Sequence, residues 1–200
     1  MLPPAPKPDL YGAADALERR VGLPEAFRYL EAACPRSDWA TVELHPMARH
    51  WLEVHGWFRG QMGELDDLGR LWREGRIGAA DYRNRATPRV NHLLGNLHHH
   101  HTLESTQAFP MLAAAEPRMS AGFDLLDRDH EAIEHLLAAM AEAAKHLIRS
   151  AGEAGDPLPR LADALAERVE RGTALIVRHF GDEEEVVVPV LTLRGDGLSL

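Results

Sequence analysis

Four long segments of the chain repeat their apolar residues every three or four positions, the spacing that one face of an α-helix presents. No run of alternating apolar and polar residues requires a β-sheet. The pattern therefore predicts an all-α protein, an antiparallel up-down four-helix bundle with a short helical N-terminal extension. We expect the four helices at about 46–72, 79–109, 120–149 and 157–189.

Prolines and glycines mark the ends of these helices. Pro46 suits the first turn of the first helix. Pro88 is awkward inside the second, so it either starts the long segment behind Thr87 or kinks it. Residues 150–159 form the clearest linker, and Asp156 with Pro157 provides a cap and first turn for the last helix.

The first forty residues differ from the rest. A proline-rich lead is expected to be extended or disordered, and two short helical patterns follow from about Leu10 to Cys34, split near residues 22–24. We divide the chain into an extension at 1–40 and a bundle at 41–195. Two roles for the extension are open, packing across the bundle or mediating a contact.

A histidine interrupts the apolar stripe of every predicted helix. These histidines are His55, His100 or His101, His130 and His179. Glu104 and Glu183 lie on the same faces, and no lysine or arginine on the stripes neutralises them. A buried carboxylate is costly unless it is paired, protonated or bound to a cation, so a metal site is the simplest explanation.

The second and fourth helices share one spacing. His100 is followed by a glutamate four positions on and a proline ten positions on, and His179 is followed in the same way. Lone core histidines precede these two by 45 and 49 residues. Because residues four apart lie on one helix face, two such hairpins packed face to face would place two ion sites side by side.

The segments WLEVHGWFR, HHHHTLESTQAFPML, LLDRDHEAI and RHFGDEEEVVVPVL resemble hemerythrin-like HHE domains, and the resemblance covers about residues 44–191. It implies a non-haem di-iron centre of five histidines and two carboxylates, with zinc or manganese as possible substitutes. The ligands it implies are His55, His100, His101, Glu104, His130, His179 and Glu183.

Some ligand positions stay open. The third helix of the invertebrate oxygen carriers supplies two histidines four apart, whereas the second position here is Glu134. Glu184 is an alternative to Glu183, and His98 is an uncertain outer donor. Asp129 either orients a ligand histidine or is solvated.

Three functions compete. The resemblance implies a protein that binds or senses oxygen, nitric oxide or peroxide. The alternatives are a di-iron enzyme that consumes peroxide or nitric oxide, and a structural module that holds iron or zinc. The paired Glu-x-x-His motif of ferritin-type oxidases does not occur in the sequence.

Composition narrows the choice of partners. The chain has a net charge of −9, which argues against a nucleic-acid partner. No apolar stretch approaches the ~20 residues that cross a bilayer, and no signal peptide is recognised. We therefore expect a cytoplasmic protein whose lone Cys34 is a packed, inert thiol. Its oligomeric state is open.

Overall fold

The computed structural model describes residues 16–150, 157–196 and 198 of the 200-residue chain. Within these residues every regular element is helical, which confirms the all-α prediction. The α-helices are α1 (Pro46–Arg73), α2 (Ala79–Leu103), α3 (Phe109–Ala115), α4 (Ser120–Arg149) and α5 (Leu158–Arg194). A π-helical turn, Glu104–Ala108, joins α2 to α3, so the two form one continuous leg of the bundle.

The four legs pack as an up-down bundle, as predicted. Helix α1 lies against α2 and α5, and α4 lies against the same two helices. Only residues 74–78 separate α1 from α2, and residues 116–119 separate α3 from α4. Such short connections make consecutive helices antiparallel.

The apolar core consists of two clusters with a polar layer between them. One cluster contains Phe58, Ile133 and Ile176, and the other contains Trp51 and Leu126. Burying a side chain of this size contributes about 1.5–3 kcal/mol. Packing in the two clusters therefore holds the helices together above and below the polar layer and fixes the distance between the helices within that layer.

Most helix ends agree with the sequence pattern. Pro46 opens α1, and His45 caps the helix by accepting a hydrogen bond from the Met47 backbone N–H at 3.2 Å. Pro88 lies inside α2 and does not begin it.

The predicted end of the last helix near Pro189 is wrong, because α5 continues to Arg194. All residues from Val186 to Leu191 are buried in the core. This packing outweighs the backbone hydrogen bond that the proline removes. Of the predicted cap, Asp156 lies outside the described residues, and Pro157 directly precedes α5.

The described part of the extension is less helical than expected. Between residues 16 and 40 it contains the 3-10 turns Glu25–Phe27 and Arg36–Asp38 rather than α-helices. The beginning of the first predicted pattern, at residues 10–15, lies outside the described residues. Leu23, Phe27 and Leu30 pack into the same cluster as Phe123 of α4, so this segment lies across the bundle. The division at residue 40 stays a prediction.

None of the described helices combines the length and the apolar character that a membrane span requires.

Candidate metal centre

All seven predicted ligand residues lie in the polar layer between the two core clusters, each on the inward face of its helix. His55, His179 and Glu183 are 0% exposed, and the side chain of His100 reaches only 14%. The complete set is His55 from α1, His100 and His101 from α2, Glu104 from the π-helical turn, His130 from α4, and His179 and Glu183 from α5. Both histidines that the stripe of the second helix left as alternatives therefore reach the centre. That these residues bind metal stays a prediction.

The ligand atoms of His55, His100 and Glu104 form a first group, all within 4.8 Å of one another. The Nε2 atoms of the two histidines are 3.2 Å apart, and His100 Nε2 is 2.9 Å from Glu104 Oε1. We call this group subsite 1. Its two imidazoles and one carboxylate oxygen come from three different segments, which is an arrangement that can hold one cation.

His101, His130 and His179 form a second group, which also fits within 4.8 Å. The Nε2 atoms of His130 and His179 are 3.1 Å apart. The His101 ring stacks on the His130 ring with 4.1 Å between centroids. We call this group subsite 2. It offers three imidazoles from three helices.

Glu104 and Glu183 each present one oxygen to each subsite. Glu104 Oε1 faces His100, and its Oε2 lies 3.5 Å from His130 Nε2. Glu183 Oε1 is 3.5 Å from His55 Nε2, and its Oε2 is 3.0 Å from His179 Nε2. The two carboxylates are therefore placed to bridge two cations.

The polar atoms at this centre fit a cation better than they fit one another. Within the described part of the chain, both Glu104 oxygens, Glu183 Oε2 and both His101 ring nitrogens are buried without a hydrogen-bond partner. Glu104 Oε1 and His100 Nε2 approach to 2.9 Å and still do not meet hydrogen-bond geometry. Unpaired buried polar atoms are expensive, and a metal ion bound among these lone pairs would satisfy them.

The outward nitrogens of three histidines are held by hydrogen bonds. His55 Nδ1 donates to Glu184 at 3.0 Å, His179 Nδ1 to Asp129 at 3.3 Å, and His130 Nδ1 to Ser105 at 2.9 Å. With the proton on Nδ1, the Nε2 lone pair faces the centre. This is the usual arrangement of a metal-ligating histidine and its outer partner.

Electrostatics keep most of the imidazoles neutral in the metal-free protein. Burial lowers the pKa of His100 and of His130 to about 3, and lowers the pKa of His101 well below its ordinary value. Burial also acts to lower the pKa of His179, but the neighbouring carboxylates of Asp129 and Glu183 outweigh this and raise the pKa to about 9. Three imidazoles are thus ready to ligate, whereas His179 must release a proton to do so.

The pKa values of the two inner carboxylates are shifted in opposite directions. Burial, reinforced by the neighbouring Glu183, raises the pKa of Glu104 well above the ordinary range. Burial also acts to raise the pKa of Glu183, but His55 and His179 outweigh it and hold that pKa well below the ordinary range. Without a cation, the centre carries an acid that cannot easily ionise beside one that is ionised.

The π-helical turn is a feature that the regular spacing did not predict. It begins at Glu104 and inserts an extra residue into the leg, which shifts the inward face of the helix. Ala108 and Phe109, neighbours in sequence, are consequently both buried. Such turns often occur at functional sites, and here the turn supplies the glutamate shared by both subsites.

The other candidate residues lie outside the inner group. His98 and Glu134 pair with each other at 2.9 Å on the exposed surface. Glu184 contacts the outer nitrogen of His55, whereas Glu183 faces the centre. Asp129 is 3% exposed and accepts from His179, so it is not a solvated aspartate.

Several contacts of the centre had no signal in the sequence. The stripe placed Trp51 on the core face, but its indole N–H also donates to Glu183 Oε1 at 2.6 Å. Ser105 beside His130 was missed because the π-helical turn alters the phase of the helix. Arg20 and Arg36, from the extension, reach carboxylates beside the centre across more than one hundred residues of sequence.

The fold and the site define a class of protein, a helical bundle with a buried histidine and glutamate centre suited to cations. The family model of the hemerythrin HHE cation binding domain matches residues 46–191, a range that includes all seven candidate ligands. The chain therefore belongs to this family, which confirms the resemblance seen in the sequence. No curated protein and no solved structure matches the chain.

Proposed function

We propose that the protein holds a non-haem di-iron centre that binds or senses a small ligand, either a diatomic (oxygen or nitric oxide) or peroxide. In this proposal subsite 1 and subsite 2 each take one iron, and Glu104 and Glu183 bridge the two. The observation that carries it is the placement of both carboxylates, each with one oxygen toward each histidine group.

The ligand chemistry supports iron. Imidazole together with carboxylate oxygen suits iron, manganese and zinc, and four-helix bundles house di-iron and di-manganese centres in their cores. Among the described residues, the groups that could hold a metal ion offer only imidazole and carboxylate ligands, so the soft-metal chemistry of copper(I) is not favoured.

A cavity beside subsite 1 supports ligand binding rather than a purely structural role. It has a volume of about 270 Å³, and His100 and Glu104 line it together with apolar side chains that include Trp51, Val54 and Leu103. Iron at this subsite would supply a coordination position for the small ligand. Subsite 1 has two histidines where subsite 2 has three, so the position with fewer protein ligands is the one that adjoins the cavity.

Compartment and partners complete the proposal. The net charge of −9 supports a protein that does not bind nucleic acid. A cytoplasmic location agrees with the family and with the lone, buried Cys34, and we retain it as part of the proposal.

An optical experiment tests the proposed function. Metal-free protein is loaded anaerobically with ferrous iron and then exposed separately to oxygen, nitric oxide and hydrogen peroxide while its visible absorption is recorded. We expect a new absorption band with at least one of the three ligands, and none in protein loaded with spectroscopically silent zinc.

The same experiment separates binding from turnover. A band that persists and reverses when the ligand is removed supports a binding or sensing protein, whereas steady consumption of the ligand supports the enzyme. An iron-loaded protein that shows no optical response to any of the three ligands contradicts the proposal and favours a structural cation.

A further inference from the structure

Two arginines that precede the family domain extend their guanidinium groups to carboxylates beside the candidate metal centre. Arg20 and Arg36 belong to the described part of the extension, residues 16–40, whereas the family match begins at residue 46. Each contacts a carboxylate that itself accepts a hydrogen bond from a candidate ligand histidine.

Arg20 lies on the side of subsite 2. It is 5% exposed and its Nη1 donates to Asp129 Oδ1 at 2.7 Å, while its Nη2 contacts Asp129 Oδ2. Its Nε donates to Asp182 at 2.8 Å. Asp129 is the acceptor for His179 Nδ1 at 3.3 Å. One guanidinium therefore fixes both oxygens of the carboxylate that orients His179.

Arg36 has the corresponding place on the side of subsite 1. Its Nη2 donates to Glu184 Oε2 at 2.6 Å, and Glu184 Oε1 accepts from His55 Nδ1 at 3.0 Å. Arg59 of α1 also donates to Glu184 Oε1, at 2.6 Å. Glu184 thus keeps one cation from the family domain when Arg36 is removed.

The carboxylates in these arginine–carboxylate ion pairs are buried, so the loss of an arginine is costly. Asp129 and Asp182 are 3% and 6% exposed and lie on the same guanidinium, and Glu184 is 0% exposed. A buried charge that loses its partner is strongly destabilised, and its side chain is expected to turn toward water. That movement would withdraw the acceptor from the ligand histidine and loosen the position of its ring.

We propose that the segment before the family domain contributes to metal binding by positioning two of the ligand histidines. Arg20 positions His179 through Asp129, and Arg36 positions His55 through Glu184, so each subsite has its own positioning arginine. The inference rests on the proposed metal centre. It follows that residues 46–191 alone would bind metal less tightly than the full chain.

Loss of Arg20 should weaken metal binding more than loss of Arg36. Arg20 is buried and holds Asp129 by two nitrogens, whereas the Arg36 side chain is 48% exposed and shares Glu184 with Arg59. Loss of the direct partner of a ligand histidine typically lowers metal affinity about 10–100-fold, and each arginine acts one contact further out, through that partner. We expect Arg20→Gln to weaken cobalt binding at subsite 2 by up to about tenfold, and Arg36→Gln to weaken it at subsite 1 by less than that.

The test is an anaerobic Co²⁺ titration of the full chain, followed by the ligand-field absorption of the bound cobalt. Wild type, Arg20→Gln, Arg20→Lys and Arg36→Gln are compared with Arg19→Gln, which changes the exposed arginine immediately before Arg20. Unfolding of each metal-free variant is measured so that titrations are run where all are folded. If Arg20→Gln does not fold, the half-exposed Arg36 still provides a folded variant.

The number of binding steps that a variant weakens distinguishes loss of positioning from general loss of structure. Loss of positioning should weaken one step, whereas general loss of structure should weaken both. We expect wild type and Arg19→Gln to take up two cobalt ions with the same affinities and spectra. Arg20→Gln should weaken one binding step and change its spectrum, Arg36→Gln should weaken the other, and Arg20→Lys should recover part of the loss. Equal weakening of both steps by each variant, or wild-type affinities and spectra in both, overturns the proposal. No cobalt uptake by wild type overturns the metal centre itself and this proposal with it.

Discussion

Replacing Glu104 by glutamine is expected to stabilise the metal-free protein and to reduce the stabilisation that metal provides. The change keeps the shape of the side chain and replaces a carboxyl that can ionise with an amide that cannot. A residue that serves only packing would not separate these two effects, so the substitution reports directly on the role of this carboxylate.

The first magnitude follows from burial. Glu104 is 2% exposed, and both of its oxygens lack a hydrogen-bond partner among the described residues. Burial raises the pKa of this carboxyl well above its ordinary range, so at neutral pH the metal-free chain folds only by taking up a proton or by burying a charge, and glutamine avoids both costs. Each unit of pKa shift corresponds to about 1.4 kcal/mol, and we therefore expect the metal-free variant to gain about 1–3 kcal/mol. In a chain of this size each kcal/mol raises Tm by about 2–4 °C.

The second magnitude follows from ligation. Loss of an outer partner already lowers metal affinity about 10–100-fold, so loss of a direct bridging ligand should cost at least about tenfold. Each tenfold loss removes about 1.4 kcal/mol of metal-linked stability per ion. The increase in Tm on adding metal should therefore shrink.

Calorimetry with a chelator and with excess Zn²⁺ measures both effects on the same protein. Glu134→Gln is the matched control, because that carboxylate lies on the surface in a pair with His98, and it should change neither quantity appreciably. A metal-free Glu104→Gln protein less stable than wild type, or an unchanged response to metal, would refute this reasoning.

Three further predictions concern the centre and the fold. Glu183→Ala should lower the metal content measured by elemental analysis, while His99→Ala on the exposed face of α2 should not; a large loss in the latter would mean that the phase of α2 is wrong. Trp51→Phe removes the donor to Glu183 but keeps a ring, so metal affinity measured against a competing chelator should fall about tenfold, and an unchanged affinity would argue against the bond. Pro88→Ala, at an exposed position inside α2, should restore a helical hydrogen bond and stabilise the metal-free protein by about 1–3 kcal/mol in denaturant unfolding; destabilisation would show that the proline is needed where it stands.

Helical periodicity predicted the bundle because the core stripes follow from it directly. His55 lies between Trp51 and Phe58 on one stripe, so its inward direction could be read from the chain before any tertiary contact was known. The same reasoning found Glu104 and Glu183, since residues four apart on a helix share a face. It could not find the π-helical turn, because regular periodicity assumes a constant phase.

The sequence offered Asp129 as an acceptor for a ligand histidine, as one of two alternatives, but it did not identify that histidine or the partner of Asp129 itself. Asp129 is adjacent to His130 in sequence but accepts from His179 of another helix. The partner of that aspartate, Arg20, is 109 residues away from it and lies in a segment without helical periodicity. Such contacts depend on how the extension crosses the bundle, and no local pattern encodes that path. The continuation of α5 past Pro189 likewise depends on tertiary packing.

The proposed function requires that the seven inner residues together bind two metal ions. Anaerobic titration of metal-free, untagged protein with ferrous iron, scored by elemental analysis after removal of unbound metal, tests it most directly. We expect about two irons per chain in wild type and clearly fewer in a variant that lacks both Glu104 and Glu183. Retention of wild-type iron by that variant, or no iron in wild type, would contradict it.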